Sequence, residues 1–118
     1  MAVVPLYNVN FFVSVGATMR EAVLALPRQF SIAVDQLSGD FSGTGMQLRD
    51  DHGNFAICFR SDKLDRDAIA HEIDHTQYDI WRWIDEDMPG KECRGYLVGW
   101  LTKEVCAILG RNGVPILD

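Results

Sequence analysis

Two histidines and a glutamate in the segment HEIDH have the types and spacing of a metal site. His71 and His75 are four residues apart, so on an α-helix they share one face, roughly 40° apart and one turn above the other. Both imidazoles can then reach one ion, with Glu72 beside them as a general base. The solvated side of an ordinary amphipathic helix could carry the same three residues, so the motif alone leaves both interpretations open.

A catalytic zinc ion usually takes three protein ligands and keeps a further position for water. His71 and His75 supply two, so the third must come from another element. Glu92 is in the first turn of the next predicted helix, and antiparallel packing of the two helices would bring it towards the histidines. The helix dipole alone also favours an acidic residue in the first turn, so Glu92 could instead stabilise the start of this helix without binding a metal.

The residues before the motif predict a sheet and a short helix. Every second residue from Val9 to Val15 is apolar, with Asn10, Phe12 and Ser14 between them, which is the period of a strand buried on at least one face. Thr18 and Glu21 have the spacing of a capping box, and Pro27 ends the short helix that they begin. We read residues 46–60 as a hairpin that turns near residues 51–53, with Phe55, Ile57 and Phe59 on one face. The predicted sheet is therefore antiparallel.

The period of the apolar residues then becomes helical. A long helix is predicted over about residues 64–84, with Asp62 as its N-cap. Residues 88–90, Met-Pro-Gly, break this helix, and a second one follows until Gly110 stops it. The apolar residues that recur at helical spacing in the first of these helices are Ile69, Ile73, Ile80, Trp83 and Ile84.

Composition limits the class of protein. The 118 residues suit one domain, residues 1–118, with a modest core. The net charge is -6 and the eleven Lys and Arg are scattered, so no nucleic-acid partner is expected. Membrane spans and a leader are not expected either, because no long apolar run occurs. Cys58, Cys93 and Cys106 lack a CxxC spacing, which predicts buried thiols in a reducing cytoplasm.

The segments HEIDH and ECRGYLVGWLTKEV together resemble a known family. They look like the small zinc metallopeptidase-like proteins of the gluzincin type, many of them phage-encoded. In these proteins an HExxH helix is followed by a helix that opens with a ligand glutamate and a Tyr-Leu-x-Gly-Trp run. The resemblance covers residues 9–109, with the specific motifs in residues 68–101.

The resemblance implies a fold, a metal and a set of site residues. It implies an α+β, minimal zincin-like domain, in which a small antiparallel sheet packs against the HExxH helix and an antiparallel second helix. Zinc would be held by His71, His75 and Glu92, with Glu72 as catalytic base. The family commonly has an acidic residue where this chain has Lys91. The group that orients a ligand histidine is thus left open, with Asp74 and Asp79 as candidates.

Tyr96 lies one helical turn after Glu92. It could stabilise a developing oxyanion as a second catalytic residue. A tyrosine at helical spacing with Leu97 and Trp100 is also typical of a core position with a satisfied hydroxyl. The sequence leaves both interpretations open.

Two functions follow from these expectations. The first is a zinc-dependent metallopeptidase that hydrolyses a peptide or protein substrate with metal-activated water, the substrate pairing with an edge strand, either MQLR or NFAICF. The second is a non-catalytic phage-type protein that keeps a structural or vestigial metal site and modulates a host protein. A cytoplasmic location, in the host if the protein is phage-encoded, suits both. One fold can host either role.

Overall fold

The computed structural model of the protein shows a four-stranded sheet with helices on both faces. It describes residues 2–4, 9–27, 44–50, 52–62, 64–84 and 91–117, with only the backbone of residues 2–4, 91 and 92. The strands are β1 (Ala2–Val4), β2 (Val9–Gly16), β3 (Gly45–Arg49) and β4 (Asn54–Arg60). The helices are α1 (Met19–Leu24), α2 (Arg66–Trp83) and α3 (Lys91–Arg111).

The sheet is mixed, with strand order β1-β2-β4-β3. The hairpin of β3 and β4 is antiparallel, as predicted, but β2 and β4 are parallel, with Phe11 opposite Phe55. The prediction of an antiparallel sheet is therefore wrong at its centre. Residues 54–59 are all buried, as in a central strand covered on both faces. The alternation of apolar residues identified the strands but not whether neighbouring strands run parallel or antiparallel. The connection between β2 and β4 decides that direction.

The two faces of the sheet bury different cores. Phe55, Ile57 and Phe59 share the face that packs against α2 and α3, as the hairpin pattern predicted. The opposite face packs against α1 through Phe12, Ala56, Cys58 and neighbours on that helix. The protein therefore has three layers, in which the single turn and a half of α1 covers one side and the two long helices cover the other.

The caps of α1 and α2 follow local chemistry. The backbone N–H of Glu21 donates to Thr18 Oγ1 at 3.1 Å, which confirms Thr18 as the first N-cap. The N-cap of α2 is Asp65, whose carboxylate accepts from the N–H of Ala68 at 2.8 Å. The prediction of Asp62 as this cap is wrong, because Asp62 precedes the helix and pairs with Arg60 at 2.9 Å.

The end of α3 confirms the direction of the two long helices. Gly110 does not stop α3, which continues to Arg111; Gly113, with φ +66°, follows in the conformation that glycine favours. Leu117 then donates its N–H to the carbonyl of Leu64 at 2.8 Å, just before α2 begins. The segment after α3 thus returns to the start of α2, and Arg94 at the start of α3 lines one cleft with Tyr78 and Asp79 of α2, so the two helices are antiparallel. The predicted break at residues 88–90 lies outside the described residues. None of the described helices is long and apolar enough to cross a membrane.

Candidate metal centre

The position of the two histidines on α2 follows from the residue between them. Ile73 is 2% exposed and packs in the core between α2 and the sheet. His71 and His75 each lie two positions from Ile73, which is about 160° around the helix on either side. Both histidines are exposed. Burial of the isoleucines therefore turns the two imidazoles to the outer side of the helix.

The two rings are close enough to share an ion. Their centroids are 4.4 Å apart with an interplanar angle of 45°. His71, Glu72 and His75 each offer one ligand atom, and these atoms lie within 4.8 Å of one another. In the part of the chain that the structure describes, this is the group whose geometry fits a metal ion. The prediction that HEIDH brings these three side chains together on a helix is confirmed.

Glu72 differs from the histidines because it is buried. It is 6% exposed, its Oε1 lies 4.0 Å from His71 Nε2, and its Oε2 is buried without a hydrogen-bond partner among the described residues. Burial raises the pKa of the Glu72 carboxyl above its ordinary value, and the neighbouring His75 and His71 oppose that rise. An unpaired buried carboxylate oxygen is costly. Such an atom is suited to bind a water molecule or a ligand, since none of the described residues pairs with it.

A close approach of the sheet encloses Glu72. A Cβ built on Gly45 of β3 would lie 2.7 Å from Cγ of Glu72 and 3.3 Å from the ring of Phe59. Only a residue without a side chain lets β3 come this near to α2. Gly45 was not predicted as a site residue, because it ends the segment GDFSGTG, which has the composition of a loop. The one indication in the sequence was its position directly before the strand pattern MQLR.

The free edge of the sheet lies on the same side as this carboxylate. Arg60 donates its N–H to Thr44 and Asp50 donates its N–H to Asn54, so every second residue of β3 pairs with β4. The N–H and C=O groups of Gly45, Gln47 and Arg49 therefore point away from β4, and no further strand pairs with them among the described residues. Of the two strands predicted to bind substrate, β3 has a free edge, whereas β4 is paired on both sides.

A cleft of about 380 Å³ adjoins His75. It lies between α2, β3 and the start of α3. Both candidates for orienting a ligand histidine, Asp74 and Asp79, are at this cleft, but neither is hydrogen-bonded to His71 or His75 within the described residues; Asp74 accepts from Gln77 at 3.3 Å. The described side chains that line it are Gln47, Asp74, His75, Gln77, Tyr78, Asp79 and Arg94.

The structure leaves two predicted site residues untested. Glu92 lies in the first turn of α3, as predicted, but its side chain is outside the described residues. Tyr96 is 77% exposed, so the expectation of a core tyrosine is wrong, and it is not among the described residues of the cleft. Its catalytic role stays a prediction. Arg94 and Gln77, which line the cleft, were missed because neither belongs to a recognisable motif.

The three cysteines are not equivalent. Cys58 is buried on β4, and burial, followed by the negative charge of Glu72, raises the pKa of its thiol to about 12. This thiol is a packing group, as predicted, since the reactive form of cysteine is the thiolate. Cys93 and Cys106 are exposed on α3, so the expectation that all three are buried is wrong for these two.

Comparison of the chain with protein-family models, with curated proteins and with solved structures finds no match. The assignment of a function therefore depends on the side chains of α2 and on what surrounds them.

Proposed function

We propose that the protein is a zinc-dependent peptidase whose metal is held by His71 and His75. The observation that carries the proposal is the burial of Glu72 beside two exposed imidazoles whose ligand atoms lie within 4.8 Å of one another. Imidazole nitrogens are ordinary zinc ligands. A solvated helix face with no function would not bury a carboxylate against the sheet with no hydrogen-bond partner for Oε2 in the described part of the chain.

Each side chain has a separate task in this proposal. A bound zinc ion would lower the pKa of water towards 7 and polarise the scissile carbonyl. Glu72 takes a proton from the attacking water and passes it to the leaving amine. Its raised pKa suits a group that must accept and release a proton in turn. The outward N–H and C=O groups of Gly45 and Gln47 hold an extended peptide by strand addition beside Glu72.

Glu92 is the proposed third ligand. Arg94, two residues later, lines the cleft with His75, so the start of α3 lies beside the half of α2 that carries this histidine. Positions two apart on a regular helix differ by roughly 200°. A regular first turn would therefore direct Glu92 away from the side of α3 that carries Arg94. Only the nearness of the start of α3 to His75 favours Glu92 as a ligand, and coordination requires a first turn that departs from regular geometry, which makes Glu92→Gln an essential variant.

Zinc content and turnover together test the proposal. The purified protein should contain one zinc ion per chain and cleave peptides in a mixed library, with cleavage followed by mass spectrometry. Glu72→Gln should keep zinc and lose at least about a hundredfold in kcat/KM, the usual contribution of a general base. Glu92→Gln should weaken zinc binding. A metal-free wild-type protein, or a Glu72→Gln protein with full activity, would contradict the proposal.

One observation favours a second function. The side chain of His71 is 68% exposed, so the described residues do not shield the metal from bulk water as a closed catalytic cleft would. The alternative proposal is a non-catalytic protein in which the same metal stabilises the surface that binds a host protein. In that case zinc removal lowers the melting temperature, and Glu72→Gln keeps the full biological effect.

A further inference from the structure

The cleft beside His75 contains a buried donor and a buried acceptor that no described residue pairs. Nε of Arg94 and Oε1 of Gln77 are both buried and have no hydrogen-bond partner in the part of the chain that the structure describes. Both residues line the cleft, and Gln77 is only 6% exposed. Because unpaired buried polar atoms are rare and costly, this pair points to a ligand that supplies the missing partners.

We propose that Arg94 binds a carboxylate of the substrate in this cleft. The inference rests on the proposed peptidase function and adds the substrate class, which is a peptide with a carboxylate close to the bond that is cut. A guanidinium binds a carboxylate through two parallel N–H···O bonds, and Nε, one donor of this fork in Arg94, is buried with no hydrogen-bond partner among the described residues. Gln77 Oε1 accepts an N–H from the same peptide.

The other charges of the cleft make this recognition specific. Asp74 and Asp79 line it as well, and neither lies within ion-pair distance of Arg94 in the described part of the chain. Two carboxylates repel an anion, so general electrostatic attraction does not hold the substrate there. Binding depends on the two-point contact with Arg94. Removal of that side chain should therefore reverse the preference of the cleft and not merely weaken it.

Peptide binding tests the proposal without turnover. The protein carries Glu72→Gln and is purified with zinc present, so that peptides bind but are not cut. Three fluorescent peptides are compared. The first two have the same sequence and end in a free carboxylate or in an amide. The third also ends in an amide and differs from them by one glutamate in place of a glutamine. At least one carboxylate peptide should bind about tenfold tighter than the neutral peptide by fluorescence anisotropy.

Three variants show whether Arg94 is responsible. Arg94→Met keeps the aliphatic stem and should make the carboxylate peptide bind more weakly than the neutral one. Arg94→Lys keeps the charge without the fork and should lose most of the preference. Lys103→Met removes an exposed cation from the same helix and should leave the preference unchanged. Circular dichroism of each variant confirms that it is folded.

Each outcome decides the matter. A preference for the free C-terminus or for the glutamate peptide identifies the source of the carboxylate, and both support the proposal. Equal binding of all peptides, no binding of any, or an equal loss for all of them in Arg94→Met overturns it. A carboxylate preference in a wild-type protein that cuts no peptide would disprove the peptidase and leave the carboxylate site standing.

Discussion

Two carboxylates of this protein are almost equally buried, yet their surroundings are opposite. Asp50, at the end of β3, is 5% exposed and Glu72 is 6% exposed. Asp50 accepts hydrogen bonds from the N–H of His52 and from the N–H and Nδ2 of Asn54, at 2.7 to 3.0 Å. Glu72 has a buried Oε2 with no such partner.

The difference separates a structural carboxylate from a functional one. The donors around Asp50 belong to its own hairpin, and Asn54 continues the network by accepting from Asn10 of β2 at 2.9 Å. This network fixes the turn and holds it to the parallel neighbour. Glu72 is instead held by packing against Gly45, with the imidazoles of His71 and His75 beside it. Its hydrogen-bonding capacity is not used by any of the described residues.

The largest expected effect is the loss of zinc from His75→Ala. Zinc affinity should fall by more than about a hundredfold, because even residues that only orient ligand histidines contribute about 10- to 100-fold. Metal analysis after dialysis against a known free zinc concentration measures the change. His52→Ala is the control, since His52 is the one histidine outside the motif and lies exposed in the hairpin turn. Full zinc occupancy in His75→Ala would show that α2 does not hold the metal.

Asp50→Ala tests the structural side of the comparison. It leaves the donors of His52 and Asn54 without their acceptor and should lower the free energy of unfolding by about 2 to 4 kcal/mol. Zinc binding per folded molecule should not change. Urea denaturation measures the stability. Asp62→Ala, which breaks a surface pair with Arg60, should cost less than about 0.5 kcal/mol. Equal losses in the two variants would remove the distinction.

Gly45→Ala tests the packing that encloses Glu72. The added methyl group would lie 2.7 Å from Cγ of Glu72, so the carboxylate must move, at a cost of about 1 to 3 kcal/mol of stability. Turnover per folded molecule should also fall, so the loss of activity should exceed the loss of folded protein. The control is Gly99→Ala on α3, where a Cβ meets nothing within 4 Å and better helix propensity should add up to about 1 kcal/mol. Unchanged activity of Gly45→Ala would show that this contact does not position the base.

The smallest expected effect concerns Glu72 in the zinc-free protein. Because its pKa is raised in the folded state, the fold favours the protonated carboxyl, and stability is lost as pH rises through the folded pKa. Glu72→Gln should therefore stabilise the zinc-free protein at pH 7, by roughly 1 kcal/mol. Thermal unfolding between pH 4 and about 8 measures this, with Glu104→Gln on α3 as the control. A destabilised Glu72→Gln protein would mean that the charged form has a partner.

The sequence by itself determined the local features of this protein. The i, i+4 spacing of His71 and His75 and the isoleucines between and around them place the imidazoles on the outer face of α2, since helical geometry is fixed by period alone. The Thr18 cap, the strand β2 and the hairpin of β3 and β4 likewise depend on neighbours in the chain. The N-cap of α2 is Asp65 and not the predicted Asp62, because the sequence pattern locates the start of a helix only to within about one turn.

Only the tertiary structure decided what surrounds those side chains. The parallel pairing of β2 with β4, the approach of Gly45 to Glu72 and the position of Arg94 at the cleft each join residues far apart in the chain. Periodicity carries no information about which element a face will meet, or about how closely. The motif could thus predict that Glu72 lies beside two histidines, but its burial without a hydrogen-bond partner for Oε2 follows from packing between α2 and the sheet.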